Sequence, residues 1–284
     1  MSNAAELIEC AKKEKRISLT ESESKILLKN YGIPVVEEAV ARSEDDAVSQ
    51  SRKMGFPVVL KGHGSKLTHK TERGLVSVNL RSDSEIRHAY RRIKAAAADD
   101  WEGCLIQPLI EGKREFVAGL IRDTQFGPTV MFGLGGVFTE ALADVSFRIA
   151  PLSDTQADAL IDNLKSSKLL GDFRGEKAAD RAQLRRVLLG LSRLGMEHPE
   201  IREVDINPLI VMPDGQVKAV DALVVFKEDD IRPVANDKTK EESEMRAREI
   251  RHALDAAVNA GSVAVVGASQ PVKGNYPGMY GCMR

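Results

Sequence analysis

Between Pro57 and Gly74 the chain reads PVVLKGHGSKLTHKTERG, which brings several groups able to handle phosphate close together. Pro57 to Leu60 is short, apolar and β-branched, the pattern of a buried strand. It delivers Lys61 to a point where Gly62 and Gly64 free the backbone. His69 and Lys70 follow in the loop, and a second strand, Gly74 to Leu80, leads away. Two strands and their loop make a hairpin-like flap rich in donors for phosphate oxygens. A lysine closing an apolar strand also occurs as a snorkelling edge residue, so the flap needs support from elsewhere in the chain.

That support comes from Glu203 to Phe226, where EVDINPLIVM and QVKAVDALVVF flank Pro213, Asp214 and Gly215. A hairpin folded about Asp214 places Asn207 opposite Asp221, and period-two alternation puts Asp205 on the face of Asn207. Three oxygen-bearing side chains converge. Such groups are costly to bury unpaired, and hard oxygen ligands on a rigid hairpin suit a Mg²⁺ that keeps waters and meets nucleotide phosphates. Solvent-facing polar positions on a half-buried hairpin are the other reading of this segment.

The bulk numbers confine any cationic site to a local patch. Over 284 residues, 41 Lys and Arg balance 42 Asp and Glu, a net charge of −1. Nothing in that charge requires nucleic acid or an anionic membrane as partner. Cys10, Cys104 and Cys282 are far apart and form no CxxC, so neither a disulfide framework nor a structural zinc site is expected. No apolar run approaches the ~20 residues of a membrane span, and the N-terminus lacks a signal peptide's apolar core. A soluble, cytoplasmic protein is expected.

Stepping along the chain, Ala4 to Lys13 reads as a short helix. Thr20 and Glu23 form a capping box for the next, with Ile26 and Leu27 as its apolar positions and Gly32 as its C-terminal cap. A strand is predicted from Pro34 to Val40. Ser43 with Asp46 caps a helix ending at Gly55, and Ser82 with Glu85 caps another running to about Ala96. Strands follow at Gly103 to Gln107, Glu115 to Ile121 and Pro128 to Phe132, the last opening into GLGG, Gly133 to Gly136. Helices are predicted at Asp154 to Leu164 and Asp180 to Leu194. His63, His88, His198 and His252 read as solvated. From Lys227 the chain becomes highly charged, a linker running into a surface helix that ends near Ala260. SVAVVGAS, Ser262 to Ser269, is a buried-type strand ending in glycine, the incomplete opening of a Rossmann-like unit.

Taken together, these segments resemble the nucleotide-binding part of the NDP-forming acyl-CoA synthetases, the family of ADP-forming acetate-CoA ligases. The resemblance rests on LTESESKILLKNYGIPV, FPVVLKGHGSKLTHKTERG, IQPLIEGKREFVAGLIRDTQFGPTVMFGLGGVFTEALADVSFRIAPL and EVDINPLIV, in the family's order. It implies an α/β ATP-grasp fold of two α/β subdomains over residues 1–226. Residues 34–106 would carry Lys61 and His69, and residues 107–226 the metal hairpin. Residues 227–260 would be the charged linker, and 261–284 the truncated start of a CoA-binding domain.

The same resemblance implies roles. Lys61 matches the lysine that contacts nucleotide phosphates; Gln107, Leu109 and Ile110 fall in the segment whose edge meets adenine; Glu115 lies on the ribose side. Asn207 and Asp221 match the Mg²⁺ ligands, as the hairpin spacing already suggested. His69 matches a histidine proposed to take a phosphoryl group from another phosphohistidine, and Asp205 an acidic residue near that relay. A single Gly74 between Arg73 and Leu75 departs from the family's loop, which usually has an acidic residue and two glycines after its HK pair. The function implied is the beta-like component of an acid-thiol ligase. It exchanges phosphoryl between ATP or ADP with Mg²⁺ and a phosphohistidine, and its acyl substrate enters through a CoA-ligase component on a separate chain or a missing C-terminal part. A truncated, catalytically silent ATP-binding module is the alternative; a ligase joining a carboxylate to an amine would need an acceptor domain for which the chain has no room.

Overall fold

Five helices begin at a side chain that accepts a hydrogen bond from the backbone N–H three residues on. Thr20, Ser43, Ser82, Ser153 and Asp180 cap α2 (Glu21–Asn30), α3 (Glu44–Met54), α4 (Asp83–Ala97), α5 (Asp154–Asp162) and α6 (Arg181–Glu197) in this way. Each cap contributes about 1 kcal/mol. At α2 the box is reciprocal, since the Glu23 carboxylate also accepts from the Thr20 N–H at 2.8 Å. An earlier helix, α1 (Ala4–Lys13), buries Ala4, Ile8 and Ala11 along one stripe. The computed structural model describes residues 4–65, 67, 70, 73–136 and 143–227, all within the unit Met1–Arg232.

The strands assemble into two antiparallel sheets. The first has four strands in the order β1-β4-β2-β3: β1 (Ala39–Ala41), β2 (Val58–His63), β3 (Val76–Leu80) and β4 (Gly103–Pro108). Its core of Val58, Leu60, Ile86, Ile93 and Ile106 lies under α3 and α4. The second sheet runs β10-β8-β5-β6-β7, with β9 also pairing β8. These strands are β5 (Arg114–Asp123), β6 (Gly127–Leu134), β7 (Val145–Ile149), β8 (Ile201–Val211), β9 (Val217–Ala219) and β10 (Ala222–Phe226). Its larger core gathers Phe116, Phe132 and Phe226 with Leu27, Leu28, Leu160 and Leu188, so α1, α2, α5 and α6 all pack here. Full burial of each such side chain contributes about 1.5–3 kcal/mol.

Several sequence expectations are corrected. The strand predicted from Pro34 to Val40 is only β1, because Val35 bridges to Ala219 of the other sheet and the Val36 N–H donates to the Ala219 carbonyl at 3.0 Å. Ile26 is 38% exposed, and the inner face of α2 is instead Glu21, Ser24, Lys25, Leu27 and Leu28. Lys61 does not close its strand; β2 continues through Gly62 and His63. Gly64 is needed for space, since a Cβ there would lie 2.2 Å from the Asp100 carbonyl oxygen. Gly135 likewise lets the end of β6 press on β5, where a Cβ would come within 2.9 Å of the Phe116 backbone. The expected linker helix and the strand Ser262 to Ser269 lie outside the described residues. Among the described residues no helix is long and apolar enough to cross a membrane.

One buried cation ties β5 to the segment before α6. Arg114, 3% exposed, donates to Glu176 at 3.2 Å and to the carbonyls of Leu169, Gly171 and Lys177 at 3.1, 2.9 and 2.5 Å. Arg114→Met leaves a buried carboxylate and three carbonyls unpaired, and should cost about 3–5 kcal/mol of unfolding free energy. Urea denaturation measures this directly; a loss under about 1 kcal/mol would mean that water replaces the guanidinium.

Candidate functional site

Positions 21 and 25 of α2 lie one turn apart on its inner face, which fixes the chemistry around Lys61. The Glu21 carboxylate accepts from Lys25 at 2.8 Å and from Lys61 at 2.6 Å through Oε1, and from Lys70 at 2.6 Å through Oε2. Glu21, Lys25 and Lys61 are all buried. The Lys25 ammonium also donates to Glu38 at 2.7 Å and to the Gln107 side-chain oxygen at 2.8 Å. The Lys61 ammonium also reaches Asp221 Oδ2 at 3.1 Å and the Val220 carbonyl at 3.4 Å. Three ammonium groups thus face the three carboxylates of Glu21, Glu38 and Asp221.

Burial alone would push the Glu21 carboxyl up, but Lys61, then Lys25 and Lys70, outweigh it and hold the group far below the usual carboxylate range. Burial likewise opposes the charge on Lys61, and Glu21 and Asp221 overcome it, raising its pKa above the ordinary lysine value. Lys61 therefore stays cationic at neutral pH without bound ligand.

The hairpin supplies the opposite wall. Ile206 pairs with Ala222 and Leu209 with Ala219, a register centred on Asp214 that sets Asn207 level with Asp221. Asp205, Asn207 and Asp221 all line one cavity of about 350 Å³, together with Glu21, Lys70 and His63. The Asp205 carboxyl is pushed up to about 6, by burial first and then by the nearby Glu203 and Asp221 carboxylates. His63, expected to be solvated, is half-buried at the end of β2, across the cavity from the hairpin, where burial and then Lys70 lower its pKa. His198 is also half-buried, its Nδ1 3.2 Å from the Glu200 carboxylate, whereas His88 is exposed.

The residues expected to meet the nucleoside are distributed differently. Gln107, in β4, gives its side-chain oxygen to Lys25, and the Leu109 N–H donates to the Pro57 carbonyl at 3.0 Å. Leu109 and Ile110 are half-buried in the connection to β5. Glu115 is half-buried near the start of β5, its carbonyl accepting from the Gly135 N–H at 2.8 Å. None of these four lines the cavity of Asp205 and Lys70. His69 lies outside the described residues, although Leu67 and Lys70 of the same loop line the cavity. At the far end of that loop the Leu75 N–H donates to the Lys70 carbonyl at 2.8 Å. Glu21, Lys25 and Glu38 were not singled out from sequence. Their signal was present, since Glu21 and Lys25 share a helix face with Leu28.

A family model described as an ATP-grasp domain matches residues 10–226. The beta subunit of acetate–CoA ligase [ADP-forming] I from Pyrococcus furiosus is 43% identical over 232 residues, covering 80% of this chain and 99% of that subunit. The 4-hydroxybutyrate–CoA ligase [ADP-forming] of Nitrosopumilus maritimus is 38% identical over 218 residues, 75% of this chain; there the match spans only 31% of the relative's length. Among solved structures, the dinucleotide forming acetyl-coenzyme A synthetase 1 of Ca. Korarchaeum cryptofilum superposes with a TM-score of 0.70 at 43% identity. That match covers 79% of this chain and 100% of the other, in a complex with coenzyme A and Mg-AMPPCP whose phosphohistidine segment points towards the nucleotide binding site.

The raised Asp205 carboxyl carries a sign for stability. Its folded pKa lies above the unfolded value, so the folded state binds the proton more tightly, and the stabilisation present below pH ~4 is lost as pH rises through about 6. In chelator, without nucleotide, Asp205→Asn should therefore match the parent near pH 4 and exceed it by about 3 kcal/mol at pH 7.5. Urea midpoints at the two pH values test this; an equal difference at both would rule out titration of Asp205.

Proposed function

This chain belongs to the ATP-grasp domain family and, within it, to the ADP-forming acyl-CoA synthetases; from that premise we propose that it is the nucleotide-binding, beta-like component of such an enzyme. The observation that carries the reading is the cavity lined by Lys70, Asp205, Asn207 and Asp221, with Lys61 directly behind it, paired to Glu21 and Asp221 of its lining. One side offers ammonium groups for phosphate oxygens, the other hard oxygen donors.

The reaction proposed is phosphoryl exchange with His69. The lone pair of a neutral imidazole nitrogen attacks the γ-phosphorus of ATP, a new N–P bond forms, the bond from phosphorus to the β–γ bridging oxygen breaks, and ADP leaves with that electron pair. In reverse, ADP takes the group back and ATP is regenerated. Lys61 and Lys70 would bind the phosphate oxygens and spread the charge as it moves. Leu109 and Ile110 would flank the base and Glu115 the ribose. With the Gln107 side chain committed to Lys25, its contribution to the base would be positional.

Divalent metal fits the donor set. Asn207 has no side-chain hydrogen bond among the described residues, and Asp205 is raised first by burial and then by the neighbouring Glu203 and Asp221 carboxylates. Asn207 and Asp221 would hold Mg²⁺, with Asp205 beside the relay. Bound there, the ion would neutralise phosphate oxygens and help to orient the terminal phosphoryl group.

A second component carrying the CoA-binding and ligase chemistry completes the reading. It would pass the phosphoryl group between His69, its own histidine and an acyl phosphate, and form the thioester. Residues 261–284 would be the opening of a CoA-binding domain.

The test is incubation of the purified chain with Mg²⁺ and γ-labelled ATP, with and without a separately supplied ligase component. Acid-labile, base-stable label is expected on the protein; Lys61→Ala should lower its rate at least ~100-fold, and His69→Ala should abolish it. No label in either mixture, with nucleotide binding intact by calorimetry, would sink the relay and leave a silent nucleotide-binding module.

A further inference from the structure

Glu21 has a place in the cavity that the phosphoryl chemistry above does not use. Its carboxylate, 5% exposed, receives three lysines that come from separate parts of the chain: Lys25 on its own helix, Lys61 on β2, and Lys70 in the flap loop. Lys25 has no donor to spare, because its three N–H groups go to Glu21, Glu38 and Gln107. Its effect is to fix the carboxylate from behind and to tie it to β4; Lys61 also has three partners, but its contact to the Val220 carbonyl is long, at 3.4 Å, and open to exchange. Lys70 is the converse case. Among the described residues its ammonium has one partner, Glu21 Oε2, and it lines the cavity with its remaining hydrogens uncommitted.

Resting on the nucleotide-phosphate reading, we propose that Glu21 is a positioning residue that sets the Lys61 and Lys70 ammonium groups in place for the phosphate chain. A free lysine side chain carries about 2 kcal/mol of rotamer entropy, which a ligand must overcome if the group is not already held. Glu21 removes that cost for both lysines before nucleotide arrives. It also links the flap to α2, which packs with the second sheet's core, so the phosphate donors of the first sheet keep register with the carboxylates of the hairpin.

Simple charge counting makes the opposite forecast, which makes the idea testable. A carboxylate beside a polyanion repels it, so if Glu21 were only a counter-ion competing for the lysines, its removal would tighten ATP binding. Affinities for ATP with Mg²⁺, and for adenosine, which has no phosphate, would be measured on the full chain and on Glu21→Gln, Lys70→Gln and the double variant, with urea midpoints as a fold control. Each single variant should weaken ATP at least ~10-fold and leave adenosine within about twofold, and the double should be little worse than Glu21→Gln, because the two act through one contact. ATP affinity equal to or above the parent's in Glu21→Gln overturns the proposal, and so does an equal loss for adenosine. Should Glu21→Gln fail to fold, Lys70→Gln decides, and unchanged ATP affinity there overturns it. A parent chain that binds no ATP overturns the nucleotide reading and this inference together.

Discussion

A lysine ammonium buried within an apolar strand is tolerable only beside a compensating charge, and much of the site's architecture follows from how Lys61 meets that requirement. Two unit charges 4 Å apart attract by about 4 kcal/mol at an effective dielectric near 20, and a buried charge left alone is penalised by several kcal/mol. Lys61 sits on β2 of the first sheet, but its partners are Glu21 of α2 and Asp221 beside β10. Both partners belong with the second sheet. The ion pairs therefore link the two sheets at the place where phosphate would bind, and α2 has to carry charge on its inner face to do so.

The balance of that cluster sets what the cavity accepts. With Lys25, Lys61 and Lys70 matched by Glu21, Glu38 and Asp221, the unliganded site is close to neutral and its lysines are held without a ligand. A phosphate chain adds negative charge that only a second source of positive charge can offset. The hairpin wall is arranged for such a source: Asp205 is pushed up to about 6 because it is buried and then because Glu203 and Asp221 lie near it. The resting chain therefore retains unfavourable carboxylate crowding on one wall and relaxed ion pairs on the other. Such crowding is a common cost of a functional site.

Much of this was legible in the sequence because it follows local rules. Capping residues marked the starts of α2, α3 and α4, and also of α6. The spacing about Asp214 gave the register that levels Asn207 with Asp221, because a tight turn fixes the pairing of every later residue. Where long-range contacts decide the outcome, the local reading failed. Pro34 to Val40 looks like one strand, yet its two ends serve different sheets. Gly62 and Gly64 read locally as freeing the backbone, whereas Gly64 is there because the Asp100 carbonyl leaves no room for a side chain. Gly133 to Gly136 reads locally only as a glycine-rich end to its strand, whereas Gly135 answers to the backbone of Phe116.

Glu21 and Lys25 show why the centre of the site was the hardest part to see. On a helix, a glutamate followed four residues later by a lysine ordinarily makes a solvent-exposed pair worth a few tenths of a kcal/mol. What distinguishes this pair is its company, since positions 21, 24, 25 and 28 share one face and Leu28 is fully buried. Charge on the same stripe as a core leucine has to be compensated by something outside the helix. The only strongly placed cation nearby in the sequence pattern was Lys61, already set apart by its apolar strand. The helix pattern raised the demand and the strand supplied its answer, but only the folded chain, with β2 laid beside the start of α2, shows that the two belong to one site.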